Sequence, residues 1–341
     1  MVSKYKVAVI PGDGVGPTII NVTLKILQFL IDVFSISMEF NIVEAGDNAL
    51  KRFGIPLPES TLEILKRSHT CLKGPIGETA GRVIVPIRQK FNLYANVRPV
   101  ISLPNVLGAA ENVDLVIVRE NTEGLYKGME FEDPEGECVF TIRLITRKAS
   151  MRIAEFAFDL AEKRRRKITI VHKANVMHSC RFFRDVCLEV AEKHPTVEIE
   201  EMYVDNAAYQ LIRNPSRFDV ILTTNMFGDI LSDEAAALIG SLGLAPSGNI
   251  GENFSLFEPV HGSAPDIKPE YANPIATILS AKMMLEYLCE KHRDEKLKKA
   301  AETLKKAVIK VLKEGRIRTP DIGGKSKTIE VAEAIIREIK I

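Results

Sequence analysis

The chain has 341 residues, of which 46% are hydrophobic and 27% are charged, and its formal net charge is +1. This length and composition predict a globular enzyme built as two domains or as one large α/β unit. The near-neutral charge argues against binding to nucleic acid or to an anionic membrane surface.

The cysteines and the N-terminus indicate which covalent cross-links, metal sites and cellular location to expect. Five scattered cysteines, none of them in a C-x-x-C pair, predict neither a disulfide framework nor a zinc site. The N-terminus enters a short strand without the apolar core of a signal peptide, and no apolar stretch approaches membrane-spanning length. We therefore expect a cytoplasmic enzyme with no nucleic-acid or membrane partner.

Apolar strands alternate with amphipathic helices along most of the chain. The pattern predicts strands at 6–10, 38–45, 70–73, 113–119, 168–173, 197–204 and 218–224. It predicts helices at 18–34, 59–67, 149–163, 180–193, 228–240, 274–292, 295–314 and 328–340. Strands that are separated by helices form a mostly parallel sheet with both faces covered, so the predicted fold class is α/β.

Two segments interrupt this alternation. An extended stretch at 138–146, preceded by a turn at 133–136, predicts an arm that reaches towards a partner chain. The glycine- and proline-rich segment after Gly240 predicts a functional loop of roughly thirty residues.

Two acidic residues open the helix that follows the strand at 218–224. Asp229 and Asp233 are four residues apart, so both carboxylates project from one face of that helix and repel each other unless a cation lies between them. Oxygen ligands of this kind suit Mg²⁺ or Mn²⁺. The alternative is that both acids merely favour the first turn of a helix, where the helix dipole stabilises negative charge.

Three arginines are candidates for binding carboxylates. Arg88 and Arg98 bracket the segment 91–97, and Arg119 ends the strand at 113–119. A guanidinium group can hold a carboxylate through two parallel hydrogen bonds, although each arginine could equally be a surface ion-pair partner.

A lysine and an acid end two further strands. Lys173 can carry a proton if neighbouring charge lowers its pKa, and Asp205 ends the next predicted strand. Open α/β sheets bind ligands at the carboxyl ends of their strands. Four candidates share that position: Arg119, Lys173, Asp205 and Asp229.

The glycine-rich turn Gly12-x-Gly14-x-Gly16 follows a strand but does not match the dinucleotide-binding fingerprint. In the G-x-G-x-x-G pattern the third glycine comes one place later, and here Pro17 follows instead. We therefore do not expect an ordinary Rossmann nucleotide site.

Seven motifs occur in order from one end of the chain to the other, at residues 11–17, 94–99, 118–126, 172–176, 204–205, 228–234 and 258–267. Together they resemble the β-decarboxylating dehydrogenases, the family of isocitrate, homoisocitrate and 3-isopropylmalate dehydrogenases, and most closely the archaeal 3-isopropylmalate and homoisocitrate enzymes. The resemblance implies oxidation of a 2-hydroxy acid that carries a 3-carboxylate, followed by loss of CO₂.

The resemblance also implies roles for the site residues. Asp205, Asp229 and Asp233 would hold Mg²⁺ or Mn²⁺, a Lewis acid that stabilises the enolate formed on decarboxylation. Lys173 would accept the proton of the C2 hydroxyl, and Tyr126 would protonate the enol carbon. Binding of the malate carboxylates would fall to Arg88, Arg98 and Arg119.

In this family the equivalents of Lys173 and Asp205 come from the partner subunit. The resemblance therefore implies a homodimer, or a dimer of dimers. Two α/β domains would surround a mixed sheet, with residues 1–93 and 240–341 forming a large cofactor-binding domain. Residues 94–239 would form the dimerisation domain, with a protruding arm near 131–146.

The cofactor implied by the resemblance is NAD, bound at a non-Rossmann site. In the family, an acid at the position of Asp266 hydrogen-bonds the ribose 2′-hydroxyl and repels a 2′-phosphate, while Asn273 would lie near the adenine. The implied binding loop consists of His261, Gly262, Ser263, Ala264, Pro265, Asp266 and Ile267.

Substrate choice in the family depends on the helix before Arg88, at residues 77–88. Ile84, with its apolar neighbours, suits an isopropyl group, whose burial contributes roughly 2 kcal/mol. Arg82 points to the alternative, because an inward guanidinium could pair with the distal carboxylate of homoisocitrate or isocitrate. The segments 204–206 and 247–249 also resemble the corresponding segments of homoisocitrate and NAD-isocitrate dehydrogenases more than those of 3-isopropylmalate dehydrogenases.

The preferred hypothesis is therefore 3-isopropylmalate dehydrogenase, an enzyme of leucine biosynthesis. The alternative is a homoisocitrate dehydrogenase of lysine biosynthesis, or an isocitrate dehydrogenase; a tartrate- or malate-type dehydrogenase ranks lower. A non-catalytic regulatory subunit is disfavoured, because all the metal-binding and proton-transfer residues are present.

Overall fold

The structure, a computed structural model, describes residues 4–339. Its strands are β1 Tyr5–Ile10, β2 Met38–Ile42, β3 Thr70–Lys73, β4 Ala95–Ile101, β5 Asp114–Glu120, β6 Glu130–Glu132, β7 Val139–Thr141, β8 Lys167–His172, β9 Glu198–Tyr203, β10 Val220–Thr223, β11 Pro246–Ile250 and β12 Ser255–Pro259. Its helices are α1 Gly16–Phe34, α2 Asp47–Phe53, α3 Glu59–Arg67, α4 Ala80–Lys90, α5 Arg147–Glu162, α6 His178–Ala191, α7 Val204–Arg213, α8 Asn225–Leu238, α9 Ile275–His292, α10 Glu295–Glu314 and α11 Thr328–Glu338.

Ten strands form one sheet in the order β2-β1-β3-β12-β11-β4-β5-β10-β8-β9. The outer pairs on both sides are parallel, whereas β12, β11, β4 and β5 pair antiparallel with one another at the centre. Helices connect most of the parallel strands, as a parallel crossover requires. The predicted α/β class with a mixed sheet is confirmed.

The centre of the sheet is where the sequence prediction was wrong. The predicted long loop after Gly240 contains β11 and β12, and β4 was not predicted as a strand at all. All three carry polar, glycine or proline residues within short runs, which hides the alternation typical of a strand. Their burial comes from neighbours on both sides in the sheet rather than from their own apolar pattern.

Two helix boundaries correct the predicted positions of acidic residues. Helix α8 begins at Asn225, so Asp229 is its fifth residue and lies beyond the first turn. The helix-dipole explanation for this acid is therefore weakened. Strand β9 ends at Tyr203, so Asp205 lies in the first turn of α7 and not at a strand end. The predicted end of the last helix, Lys340, lies outside the described residues.

Helix α1 has the length and hydropathy of a membrane span, with 19 residues and a mean hydropathy of 1.4, which contradicts the expectation that no stretch would reach that length. It is the one helix in the described part of the chain with these properties. Ile20, Ile26 and Leu27 are fully buried in the largest apolar cluster, where α1 packs against α9, α10 and α11. These contacts are those of a core helix.

The sheet order follows the predicted domain division. Strands β2, β1, β3, β12 and β11 come from 1–93 and 240–341, and the remaining five come from 94–239. The two sets meet where Asn249 of β11 lies opposite Asn96 of β4. The largest apolar cluster draws residues from both sets, so the division into two domains stays a prediction.

The predicted arm corresponds to a two-stranded hairpin of β6 and β7. Its apolar side chains face outward: Phe131, Val139 and Phe140 are each more than half exposed. A hairpin that exposes aromatic residues suits contact with another chain. The role of the arm stays a prediction.

Candidate active site

A cavity of about 390 Å³ lies between α4, the carboxyl end of β3, and the centre of the sheet. The predicted site residues that line it are Ile84, Arg88, Arg98, Arg119, Tyr126, Asp229, His261 and Gly262. Charged and apolar walls therefore face each other across one space. The other lining residues include three that the sequence analysis missed, Lys73, Ser247 and Glu258.

Arg119 is the most deeply buried of the three arginines, with 1% of its surface exposed. Its Nε and Nη2 donate to the Asn225 Oδ1 at 2.9 and 2.7 Å, and its Nη1 pairs with Asp229. Burial, together with the nearby positive charges of Arg98 and Arg88, lowers the pKa of Arg119 to about 9. The side chain is therefore held where an anionic ligand would relieve unfavourable charge.

Arg98 joins the arginine cluster to the two acids of α8. Its Nη1 donates to the Ser232 Oγ at 2.5 Å and to the Asp233 Oδ1 at 3.2 Å, and its Nη2 lies 3.3 Å from the Asp229 Oδ1. Burial raises the pKa of Asp229, but Arg119 and Arg98 outweigh it and the net shift is downward. Burial also raises the pKa of Asp233, and the Asp229 charge adds to that rise.

The absence of a side chain at Gly228 allows α8 to approach Arg119. A Cβ at this position would lie 2.6 Å from both the Cβ and the Cγ of Arg119. Contacts that short do not occur between packed carbon atoms. Gly228 therefore determines where Arg119 can lie, and the sequence motif 228–234 did not reveal this role.

A second buried network surrounds Arg88. Its Nε donates to the Asn249 Oδ1 at 3.0 Å, and the Asn249 Nδ2 donates to the Glu258 Oε1 at 2.8 Å. The Lys73 Nζ lies 2.7 Å from the Glu258 Oε2. Burial raises the pKa of Glu258, but attraction to Lys73 and Arg88 outweighs it and lowers the pKa to about 2.

Sequence signals existed for some of these missed residues. Lys73 ends a fully buried strand, the same position that singled out Arg119 and Lys173. Glu258 lies in motif 258–267, but within a segment that was predicted to be loop. The segment 247–249 was noted only for its resemblance to homoisocitrate and NAD-isocitrate enzymes, and nothing local predicted the hydrogen bonds of Asn249, whose partners are distant in sequence.

The predicted metal ligands do not all come together in one chain. Asp229 and Asp233 lie on one face of α8, and the Asp229 Oδ2 accepts a hydrogen bond from the Tyr126 hydroxyl at 2.9 Å. Asp205 instead accepts a hydrogen bond from Lys173 at 2.6 Å, with most of its side chain exposed. Among residues 4–339, the one group of three possible ligand side chains that lies within metal-binding distance is a different one: Asp159, Glu162 and His194.

The donor set on α8 nevertheless suits a hard divalent cation. Both ligands are carboxylates, and the Asp233 side chain is more than half exposed, which leaves its oxygens accessible. The pKa of Asp233, raised by burial and by Asp229, indicates that a cation between the two acids would relieve repulsion.

A second cavity of about 400 Å³ adjoins the first and shares His261 with it. Ala264, Ile267 and Asn273 of the predicted cofactor site line this cavity, whereas Asp266 is exposed and is not among the lining residues. The Asn273 Nδ2 donates to the Asp321 Oδ2 at 2.9 Å. The remaining predicted loop residues, Ser263 and Pro265, lie between lining residues along the chain.

The glycine-rich turn supports the second cavity. Gly14 has a φ of +56°, and a Cβ there would lie 2.1 Å from the Ser263 carbonyl oxygen. The same oxygen accepts a hydrogen bond from the backbone N–H of Val15 at 3.1 Å. The turn therefore holds the predicted cofactor loop through direct backbone contact.

Arg82 and Ile84 have different environments although both lie on α4. Ile84 and Val85 line the first cavity, whereas Arg82 is exposed and is not among the lining residues. In this arrangement the geometry does not support the prediction that Arg82 contacts the substrate. The wall opposite the arginines is apolar.

Comparison with known proteins identifies the family. The sequence pattern of the isocitrate/isopropylmalate dehydrogenases matches residues 6–335. The chain belongs to this family. It is therefore an enzyme, a decarboxylating dehydrogenase of the isocitrate/isopropylmalate dehydrogenase type, and the resemblance seen in the sequence motifs is confirmed.

Individual relatives match over nearly their whole length. The 3-isopropylmalate dehydrogenase of Saccharolobus solfataricus is 48% identical over 335 residues, covering 98% of this chain and 99% of the relative. The isocitrate/homoisocitrate dehydrogenase of Thermus thermophilus is 45% identical over 345 residues, with 98% and 99% covered. The crystal structure of isocitrate dehydrogenase from Methylococcus capsulatus is 42% identical, with a TM-score of 0.92, covering 99% of this chain and 100% of that one.

The close packing at Gly228 makes a first prediction for this dehydrogenase. Helix propensity alone would make Gly228→Ala stabilising by about 1 kcal/mol. Because the new Cβ displaces Arg119, we expect instead a net loss of stability and a fall in kcat/KM of roughly 100-fold. Thermal unfolding and steady-state kinetics measure both. Gly81→Ala, where a Cβ meets nothing within 4 Å, is the stability control, and wild-type kcat/KM in Gly228→Ala would contradict the packing argument.

The low pKa of Glu258 predicts a pH-dependent contribution to stability. The folded-state pKa of about 2 lies below the ordinary value of 4.5, so the contribution is present above pH 4.5 and is lost as pH falls towards 2. Its size is at most about 3 kcal/mol. We expect the difference in Tm between wild type and Glu258→Gln to be largest above pH 5 and to shrink as pH falls to 3. Glu302→Gln, at an exposed acid on α10, serves as the control, and a difference that does not change with pH would refute the prediction.

Proposed function

We propose that this chain is an NAD-dependent 3-isopropylmalate dehydrogenase acting in leucine biosynthesis in the cytoplasm. The observation that carries the proposal is the composition of the first cavity, in which three buried arginines face the apolar side chains of Ile84 and Val85. A malate with an aliphatic 3-substituent fits this cavity, because its carboxylates can bind the arginines while its aliphatic group contacts the apolar side chains. Several relatives of nearly half identical sequence are named for the same substrate, which supports the proposal.

The arginines orient the substrate in this proposal. Arg88, Arg98 and Arg119 hold the two malate carboxylates through paired hydrogen bonds, while Ile84 covers the isopropyl group and excludes water from it. NAD⁺ would accept the hydride from C2. A divalent cation held by Asp229, Asp233 and Asp205 would supply Lewis-acid stabilisation of negative charge on the substrate.

Two side chains move protons. Lys173 accepts the proton of the C2 hydroxyl, and Tyr126 delivers a proton to C3 after CO₂ leaves. Burial and the neighbouring Asp229 raise the pKa of Tyr126, so its phenol stays protonated at neutral pH. A protonated phenol beside the arginines is suited to act as an acid.

The second cavity is the proposed site for the adenosine part of NAD. Asn273 and the loop His261–Ile267 form or border it, and the two cavities meet at His261, where the nicotinamide would reach the substrate. Burial lowers the pKa of His261, so its ring is neutral at physiological pH. Asp266 would hydrogen-bond the ribose 2′-hydroxyl and favour NAD over NADP.

The complete site requires two copies of the chain. Lys173 and Asp205 pair with each other away from Asp229, which is the arrangement expected if they complete the site of a neighbouring copy. Adjacent helices α7 and α8 expose Tyr209, Ile212 and Ile230, each more than half accessible. An exposed apolar face of this kind suits a homodimer interface. A dimer of dimers would retain the same shared site.

Steady-state kinetics test the substrate, the cofactor and the metal together. With NAD⁺ and Mg²⁺, we expect kcat/KM for 3-isopropylmalate to exceed that for homoisocitrate, isocitrate, tartrate and malate by roughly tenfold or more, because only its side chain fills the apolar wall without burying charge. NADP⁺ should be the poorer cofactor, and chelation with EDTA should abolish turnover. Activity confined to the tricarboxylates would favour the homoisocitrate or isocitrate alternative, and turnover that survives chelation would overturn the metal proposal.

Mixing two inactive variants tests the shared site. Lys173→Ala and Asp229→Asn should each abolish turnover as homodimers. After the two are unfolded and refolded together, half of the dimers carry one intact site, so activity should recover to about a quarter of the wild-type value. The control is the same mixture refolded separately and then combined. If both residues served a site within one chain, co-refolding would restore nothing.

A further inference from the structure

The side chain of Asn249 lies at the point where the two halves of the sheet meet. It is fully buried on β11, and its Oδ1 accepts hydrogen bonds from the Arg88 Nε at 3.0 Å, the Asn121 Nδ2 at 2.9 Å and the Asn96 Nδ2 at 3.1 Å. Three donors converging on one carbonyl oxygen is more than its two lone pairs ordinarily accept. The Asn249 oxygen is therefore a shared acceptor that links Arg88 to two other buried amides.

Asn96 extends the network to a second arginine. It lies opposite Asn249 on β4, and its Oδ1 accepts a hydrogen bond from the Arg98 Nε at 2.7 Å. An unbroken hydrogen-bonded chain thus runs from Arg88 through Asn249 and Asn96 to Arg98. We call these four residues the amide relay. All four are at least nine-tenths buried, so water does not compete for these bonds.

The chemistry of the neighbours determines how each amide is oriented. A guanidinium group only donates hydrogen bonds, so the oxygen of each amide must face its arginine. The Asn249 Nδ2 then points to the Glu258 Oε1 at 2.8 Å, and the Asn96 Nδ2 points to the Asn249 oxygen and to the Ser247 Oγ at 2.9 Å. Reversing either amide would set donor against donor. Each orientation is therefore the only one that satisfies the network.

The relay decides which arginine atoms remain for a ligand. Because the Nε of both Arg88 and Arg98 is occupied by an amide oxygen, a ligand can bind either guanidinium group only through its terminal nitrogens. The Nη1 of Arg98 already donates to Ser232 and Asp233, and its Nη2 makes one bond, to Asp229, so one N–H of that nitrogen remains for a ligand. The distance between those terminal groups is set by two amides on paired strands, and paired strands have a fixed spacing. A flexible side chain in place of either amide would not fix it.

We propose that Asn249 and Asn96 are positioning residues that set the separation and tilt of Arg88 and Arg98, and so match the two guanidinium groups to the carboxylates of the substrate. The proposal rests on the proposed function, in which these arginines bind the malate carboxylates. It assigns the substrate-binding geometry to the strand pair β11–β4 that joins the two halves of the sheet.

A double-mutant cycle tests whether Asn249 acts through Arg88. Asn249→Ala should raise KM for the substrate about 10- to 100-fold, the range for a lost hydrogen bond to a charged group, and leave KM for NAD⁺ unchanged. In an Arg88→Gln background, the same Asn249→Ala change should have almost no further effect, since the arginine that it positions is gone. Asn96→Ala should show the same dependence on Arg98.

Controls separate positioning from a general structural role. Thr169→Val removes another fully buried polar group, whose hydroxyl has no hydrogen-bond partner among residues 4–339, and should leave both KM values unchanged. If Asn249→Ala does not fold, Asn249→Leu nearly keeps the shape of the side chain but removes the acceptor for the Arg88 Nε, so KM for the substrate should rise in the same way. An effect of Asn249→Ala that is equally large in the Arg88→Gln background, or an unchanged KM in a folded variant, would overturn the proposal.

The outcome is distinguishable from failure of the proposed function. If the wild type prefers homoisocitrate, the proposed substrate is wrong, and the same cycle is run with homoisocitrate, since both substrates share the malate part that the arginines would hold. The relay is rejected only when the coupling between Asn249 and Arg88 is absent with the preferred substrate.

Discussion

The rest of the site depends on the burial of three positive charges around one cavity. Arg88, Arg98 and Arg119 are each nearly inaccessible to water, and their mutual repulsion is costly in a medium of low polarity. The protein offsets that cost with acids placed at the edges of the cluster. Asp229 accepts hydrogen bonds from two of the arginines. The negative charge of Glu258 compensates the positive charges of both Arg88 and Lys73.

In the proposed function, this balance of charge leaves the cavity ready for a dianionic ligand. The two acids that line the cavity lie on α8 and β12, and the three arginines line the same space. Decarboxylation develops negative charge on the substrate. Positively charged side chains that are already held in place stabilise this charge without further rearrangement. In the proposed function, the apolar wall formed by α4 adds selectivity for the group attached at C3.

The antiparallel centre of the sheet makes the arrangement possible. A wholly parallel sheet would place ligand-binding residues mainly at strand ends. Here β4 and β11 run side by side through the middle of the sheet, so side chains from within these strands, such as Arg98 and Ser247, also line the cavity. The same pairing joins the two sets of strands that were predicted to form separate domains. In the proposed function, substrate binding and the contact between these two sets of strands therefore depend on one strand pair.

The sequence alone determined the α/β class, the family and the positions of Arg119, Lys173 and Asp229, because charged residues directly after apolar strands or early in the following helix are visible as local patterns. Only the tertiary structure decided the strands β4, β11 and β12, the exposed position of Arg82 and the network around Asn249. The physical reason is that these features depend on partners far apart in the chain: Arg88 and Asn249 are separated by 161 residues. Polar residues inside a strand break the hydrophobic period that predicts it, and their burial is favourable only once those distant partners satisfy them.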